Sequence, residues 1–130
     1  MSDKVEYWLE LCDDDLIAAK AMLKSKNFLW TGFICHIVVE KALKAVIAST
    51  TDTIPPKIHN LPRLAGIAGI IEELTKEQFN LLKQLTPLQI EARYPEQKEN
   101  IKAMLTEEIC DTFLKDTEEF LKWIKKKLEK

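Results

Sequence analysis

Two histidines and two arginines narrow the chemistry open to this chain. His59 lies in a loop by composition and is the only loop histidine. Metal-free cleavage of RNA needs one group to take the 2′-hydroxyl proton and another to stabilise or protonate the leaving oxygen. Arg93 suits a phosphate, because a guanidinium makes a planar two-pronged contact. Tyr94, next in sequence, has the flat ring on which a base stacks. If the fold brings His59 to Arg93, the pair forms an acid–base site. The plainer reading has His59 capping the next helix or bonding nearby backbone. In the same way Arg93 either binds a phosphate or pairs with Glu40 or another carboxylate and ties its loop down.

A second constellation is His36, Glu40 and Lys44, spaced at four-residue steps with Lys41 beside them. On a helix that spacing makes one stripe, and Glu40 precedes Lys44 in the favourable order for an ion pair. Either the stripe is the solvent edge of an otherwise buried helix, or it lines a groove where Lys41 and Lys44 meet phosphate oxygens as point charges. Read alone, His36 is a partly buried structural histidine. Asp13, Asp14 and Asp15 are adjacent on a helix, point in three directions and cannot chelate one ion together. Cys12, Cys35 and Cys110 are far apart with no Cys-x-x-Cys pair, which suits small buried groups in a reducing cytosol. No metal or other cofactor is expected from this pattern.

The elements that must hold these residues are helical. Val5, Trp8, Leu9, Cys12, Leu16, Ala19 and Leu23 share one face of a first helix ending near Asn27, with Asp3 and Glu6 resembling a capping box. Phe28 to Ser49 is apolar almost all round, so other elements must surround it. After the loop containing Pro55-Pro56, Asn60 is placed to cap a short helix with Pro62 in its first turn. Thr75 and Gln78 form a capping box for a fourth helix, which Pro87 should end or bend. The stretch 87–102 is the least regular. The last helix opens at Thr106 with Glu107 and Glu108 and closes with Lys125, Lys126 and Lys127, as the helix dipole favours. Trp8, Trp30 and Trp123 fall on helix faces. No alternation typical of strands occurs. The reading is all-α: a single domain over 1–130, an antiparallel bundle of three long and two shorter helices.

Composition agrees. In 130 residues, 46% are hydrophobic and 31% charged, the balance of a soluble globular chain. The net charge of -2 disfavours bulk electrostatic binding of nucleic acid. No apolar run approaches a membrane span and no signal core precedes the first helix, so a cytoplasmic protein is expected.

Four pieces, in order, resemble the HEPN domain (higher eukaryotes and prokaryotes nucleotide-binding): Asp14-Asp15-Leu16 in the first helix; Val39-Glu40-Lys41-Ala42-Leu43-Lys44-Ala45, similar to that family's Glu-Lys-Ala-Leu-Lys signature; His59-Asn60-Leu61; and Ala92-Arg93-Tyr94-Pro95. The resemblance implies a helical bundle that pairs as a homodimer, and a minimal nucleotidyltransferase as partner in a toxin–antitoxin-like system. Many members are metal-independent ribonucleases with an arginine followed, after four to six residues, by histidine. Here the required positions hold Lys98, Glu99 and Asn100 after Arg93, and Ala68, Gly69 and Ile70 after Arg63. The expectation is therefore a nucleotide-binding or complex-forming module without assigned catalytic residues. Its site would use Glu40, Lys41, Lys44, His59, Arg93 and Tyr94. The alternative is a divergent metal-independent ribonuclease using Arg93 and His59.

Overall fold

The structure, a computed structural model, describes residues 2–90 and 95–129. Among the described residues six α-helices follow one another: α1 (Asp3–Lys24), α2 (Phe28–Thr50), α3 (Leu61–Ile67), α4 (Lys76–Ile90), α5 (Pro95–Met104) and α6 (Glu107–Leu128). A single 3-10 turn, Ile71–Glu73, separates α3 from α4. There is no strand among the described residues. No helix among them is long and apolar enough to cross a membrane.

The apolar character of α2 dictates the architecture. Cys35, Val38, Val39, Ala42, Leu43 and Ala45 are all fully buried. To cover that much of one cylinder, α1, α6, α4, α3 and α5 all pack against α2. Burying a leucine side chain yields about 1.5–3 kcal/mol, so the central helix supplies a large share of the driving force. Gly32 permits one of these approaches: a Cβ there would lie 3.0 Å from the Leu88 side chain and 3.2 Å from that of Leu105.

Local chemistry sets the ends of the helices. Ser2 accepts from the Val5 amide and caps α1, in place of the Asp3–Glu6 box expected from sequence. Its end is a Schellman motif: Asn27 N–H donates to Met22 O and Lys26 N–H to Leu23 O, with Lys26 at φ 61°. The same pair of bonds closes α3, from Ile70 to Ala65 and from Gly69 to Gly66, with Gly69 at φ 76°. Asn60 caps α3 through Arg63 N–H, and Thr106 caps α6 through Ile109 N–H. Thr75 and Gln78 exchange both bonds of a capping box before α4.

Two expectations need correction. Of the end or bend expected at Pro87, the end does not occur: α4 continues to Ile90. A proline removes only one helical bond, and Lys83, whose carbonyl loses its partner, is exposed to solvent. Within the stretch 87–102, the described residues 87–90 and 95–102 are helical, more regular than their composition implies. Pro95 opens α5, a position where proline's fixed φ suits a helix start, so three shorter helices accompany the three long ones.

Candidate functional site

Because α2 is surrounded, its polar stripe lies inside the molecule. His36 is fully buried and Lys44 largely so, which replaces the expectation of a solvent edge with polar groups that must find partners. Glu40 supplies them. Its Oε1 lies 3.1 Å from His36 Nε2, and its Oε2 accepts from Lys44 Nζ at 2.9 Å. The ammonium of Lys44 also sits 5.8 Å from the centre of the Trp8 ring on α1, within cation–π range. The other nitrogen of His36, Nδ1, donates to the Leu85 carbonyl on α4 at 3.0 Å. Both ring nitrogens of His36 therefore face acceptors.

The fourth participant comes from the loop before α3. His59 Nδ1 lies 2.9 Å from the same Glu40 Oε1. Two contacts fix the chain just beyond it. Asn60 caps α3, and the amide of the fully buried Leu61 donates to Thr86 Oγ1 on α4. The Glu40 side chain is 12% exposed and that of His59 42%, so the cluster runs from the interior to the surface.

Electrostatics follow from this crowding. Burial alone would raise the Glu40 carboxyl, but hydrogen bonds from His36, His59 and Lys44 outweigh it and lower its pKa to about 2. Glu40 is an anion at neutral pH. A carboxylate only accepts, so His59 donates from Nδ1; in the neutral ring Nε2 then holds the lone pair, the tautomer a general base requires. The same residues meet the minimum for ion coordination. His36, Glu40 and His59 offer three ligand atoms all within 4.8 Å of one another.

The remaining candidates are distributed as follows. Lys41 pairs with Asp15 at 2.7 Å and stays apart from the Glu40 hydrogen-bond cluster. Asp13 pairs with Lys125 of α6 at 2.6 Å, while Asp14 is exposed. The aspartate run therefore fastens helices together. Arg93 and Tyr94 lie outside the described residues. Trp30 is exposed, while Trp8 and Trp123 pack on the core. Burial pushes the Cys12 and Cys35 thiols up to about 12 and Cys110 to about 11, which removes them as nucleophiles near neutral pH. A surface hollow lined by Lys4, Thr50, Gly69 and Lys127 among others shares no residue with the Glu40 cluster.

The sequence placed the stripe and His59 in one site but gave no reason for His59 to bond Glu40 directly. His59 neither caps α3 nor bonds to neighbouring backbone; it reaches back nineteen residues to Glu40. The four-residue spacing already signalled the His36–Glu40–Lys44 contacts. Nothing in the spacing of a proline-containing loop fixes where its histidine lands.

Set against family models, the chain matches the one described as HEPN domain over residues 5–128. No curated protein and no solved structure matches it.

Proposed function

The chain belongs to the HEPN domain family, a nucleotide-binding and ribonuclease-like family, and from that premise we propose that it is a nucleotide-binding, complex-forming module. In this reading it is the helical partner of a minimal nucleotidyltransferase in a toxin–antitoxin-like system and works as a homodimer. One observation carries the proposal. The signature segment around Glu40 and the loop histidine His59, separate in sequence, converge on one carboxylate at the edge of the bundle. Lys44 gives one of its three donors to Glu40, and His59, bonded to Glu40 through Nδ1, keeps its side chain half-exposed. In this reading Arg93 and Tyr94, which lie outside the described residues, supply the phosphate and base contacts by their residue types alone. Neither arginine is followed at the required distance by histidine, which supports binding over cleavage.

Calorimetric titration of the purified protein with nucleoside mono- and triphosphates tests the ligand. Saturable binding at millimolar concentration or tighter is expected, weakened in Arg93→Ala and Lys44→Ala. No binding by the parent protein at millimolar ligand rejects it. Light scattering in dilute solution tests the dimer, and copurification with a co-expressed nucleotidyltransferase tests the partner.

A second reading is favoured by the Glu40–His59 bond. A carboxylate on Nδ1 orients an imidazole as a base and stabilises it once protonated. In a divergent ribonuclease, His59 Nε2 would take the 2′-hydroxyl proton while Arg93 held the phosphate. An RNA cleavage assay without metal decides between them. Cleavage lost in both His59→Ala and Arg93→Ala establishes the enzyme, and cleavage that survives both comes from elsewhere.

A further inference from the structure

We propose that His36, Glu40 and His59 form a binding site for one divalent transition-metal ion of the zinc class. His36 provides the first ligand atom. The Leu85 carbonyl can only accept, so Nδ1 must carry the hydrogen of that 3.0 Å bond. In a neutral ring Nε2 then holds a lone pair, and it points at a carboxylate oxygen 3.1 Å away. Two acceptors do not rest at that distance unless a positive species lies between them. A proton is one such species and a metal ion is the other. A metal-ligating histidine characteristically has its second ring N–H fixed by a carbonyl, as here.

The other ligands converge on the same point. His59 Nδ1 is 2.9 Å from the same Glu40 oxygen, and the three ligand atoms lie within 4.8 Å of one another. Metal–ligand bonds of about 2.0–2.2 Å place tetrahedral ligands roughly 3.3 Å apart, so the two contacts to Glu40 Oε1 need to lengthen by only a few tenths of an ångström, while the two imidazole nitrogens, within 4.8 Å of each other, must reach the same spacing. His59 can supply that movement, because it is half-exposed and carried on a loop. Two imidazoles and one carboxylate form a set that zinc uses when one coordination position stays open.

Lys44 sharpens the choice of ion. It holds Oε2 at 2.9 Å, so Oε1 remains for the metal. Its charge opposes any cation held chiefly by carboxylate. That excludes magnesium and calcium, which depend on hard oxygen ligands, and leaves ions whose bonds to imidazole nitrogen are strong. On binding, the His36 Nε2 proton leaves for solvent, and His59 carries its hydrogen on Nε2. The inference goes beyond nucleotide recognition and is measured without any nucleotide.

The test uses the full chain stripped with chelator and dialysed. Zn²⁺ is titrated by calorimetry, Co²⁺ by visible absorption, and Mg²⁺ by thermal melting. One Zn²⁺ per chain is expected, with Co²⁺ bands of nitrogen and oxygen coordination and no shift of the melt with Mg²⁺. His59→Ala should bind Zn²⁺ at least about tenfold more weakly. Its circular dichroism should match the parent, because the ring is half-exposed. Glu40→Gln, which keeps the shape of the side chain, provides a second variant with the same expected loss. Absence of stoichiometric binding at roughly 0.1 mM Zn²⁺, equal affinity in parent and His59→Ala, or Mg²⁺ bound as well as Zn²⁺ would each overturn the proposal.

Discussion

At the scale of the residue, Glu40 decides most. It is one carboxylate serving three donors, and removing its charge leaves the buried His36 and Lys44 without an anion. Glu40→Gln should cost about 2–4 kcal/mol in urea unfolding, within the range for breaking a buried pair from one side. The pH dependence has a definite sign. The folded carboxyl is depressed from 4.5 to about 2, so its contribution is complete above the unfolded value and is lost as pH falls through the interval toward 2. Unfolding of the metal-free protein at stepped acid pH should show that loss in the parent and not in Glu40→Gln. The cysteines give a separate check. With thiols raised to about 11–12, none should react with a disulfide reagent at pH 8 in the folded protein, and all three should react in denaturant. Their inertness was legible from odd number and wide spacing. The depth of the polar stripe was not, because a four-residue period aligns side chains without saying which side of the helix meets solvent.

At the scale of the element, termini carry the information. The two Schellman motifs differ in one respect, since the left-handed position is Lys26 after α1 and Gly69 after α3. A β-carbon in that conformation costs about 1 kcal/mol. Lys26→Gly should therefore raise stability by about that amount and Gly69→Ala lower it by a similar one, both read from the denaturant midpoint at unchanged slope. Gly32→Ala acts differently, by forcing a methyl toward Leu88 and Leu105, and overpacking of this kind costs about 1–3 kcal/mol. Sequence exposed the caps at Asn60, Thr75 and Thr106 because their hydrogen bonds are local. It hid α5, whose residues are mostly polar and charged, and it overstated Pro87. Around Pro87 the buried Leu85 and Leu88 hold α4 in the core, and there packing outweighed propensity.

At the scale of the whole molecule, the order of helices was legible because one segment is apolar almost all round, with only a thin polar stripe. A helix like α2 has only one stable place, the middle, and the others follow from covering it. Two surface ties between distant segments, Lys125 with Asp13 and Lys20 with Glu118, join α1 to α6 and add little alone. Lys20→Ala should accordingly change the melting temperature by no more than a degree or two. What sequence could not supply is the meeting of His59 with Glu40, which depends on how a loop returns across the bundle. The ring of His36 has one more effect. It works as a crossbar between two cylinders, keyed at its far end to the single oxygen of Leu85. Greasy surfaces alone would tolerate a slide of α4 along α2, but a step of even one residue, about 1.5 Å, takes the key out of its hole. The two rods are latched in register, and anything that tugs the crossbar at Glu40 pulls on the far rod as well.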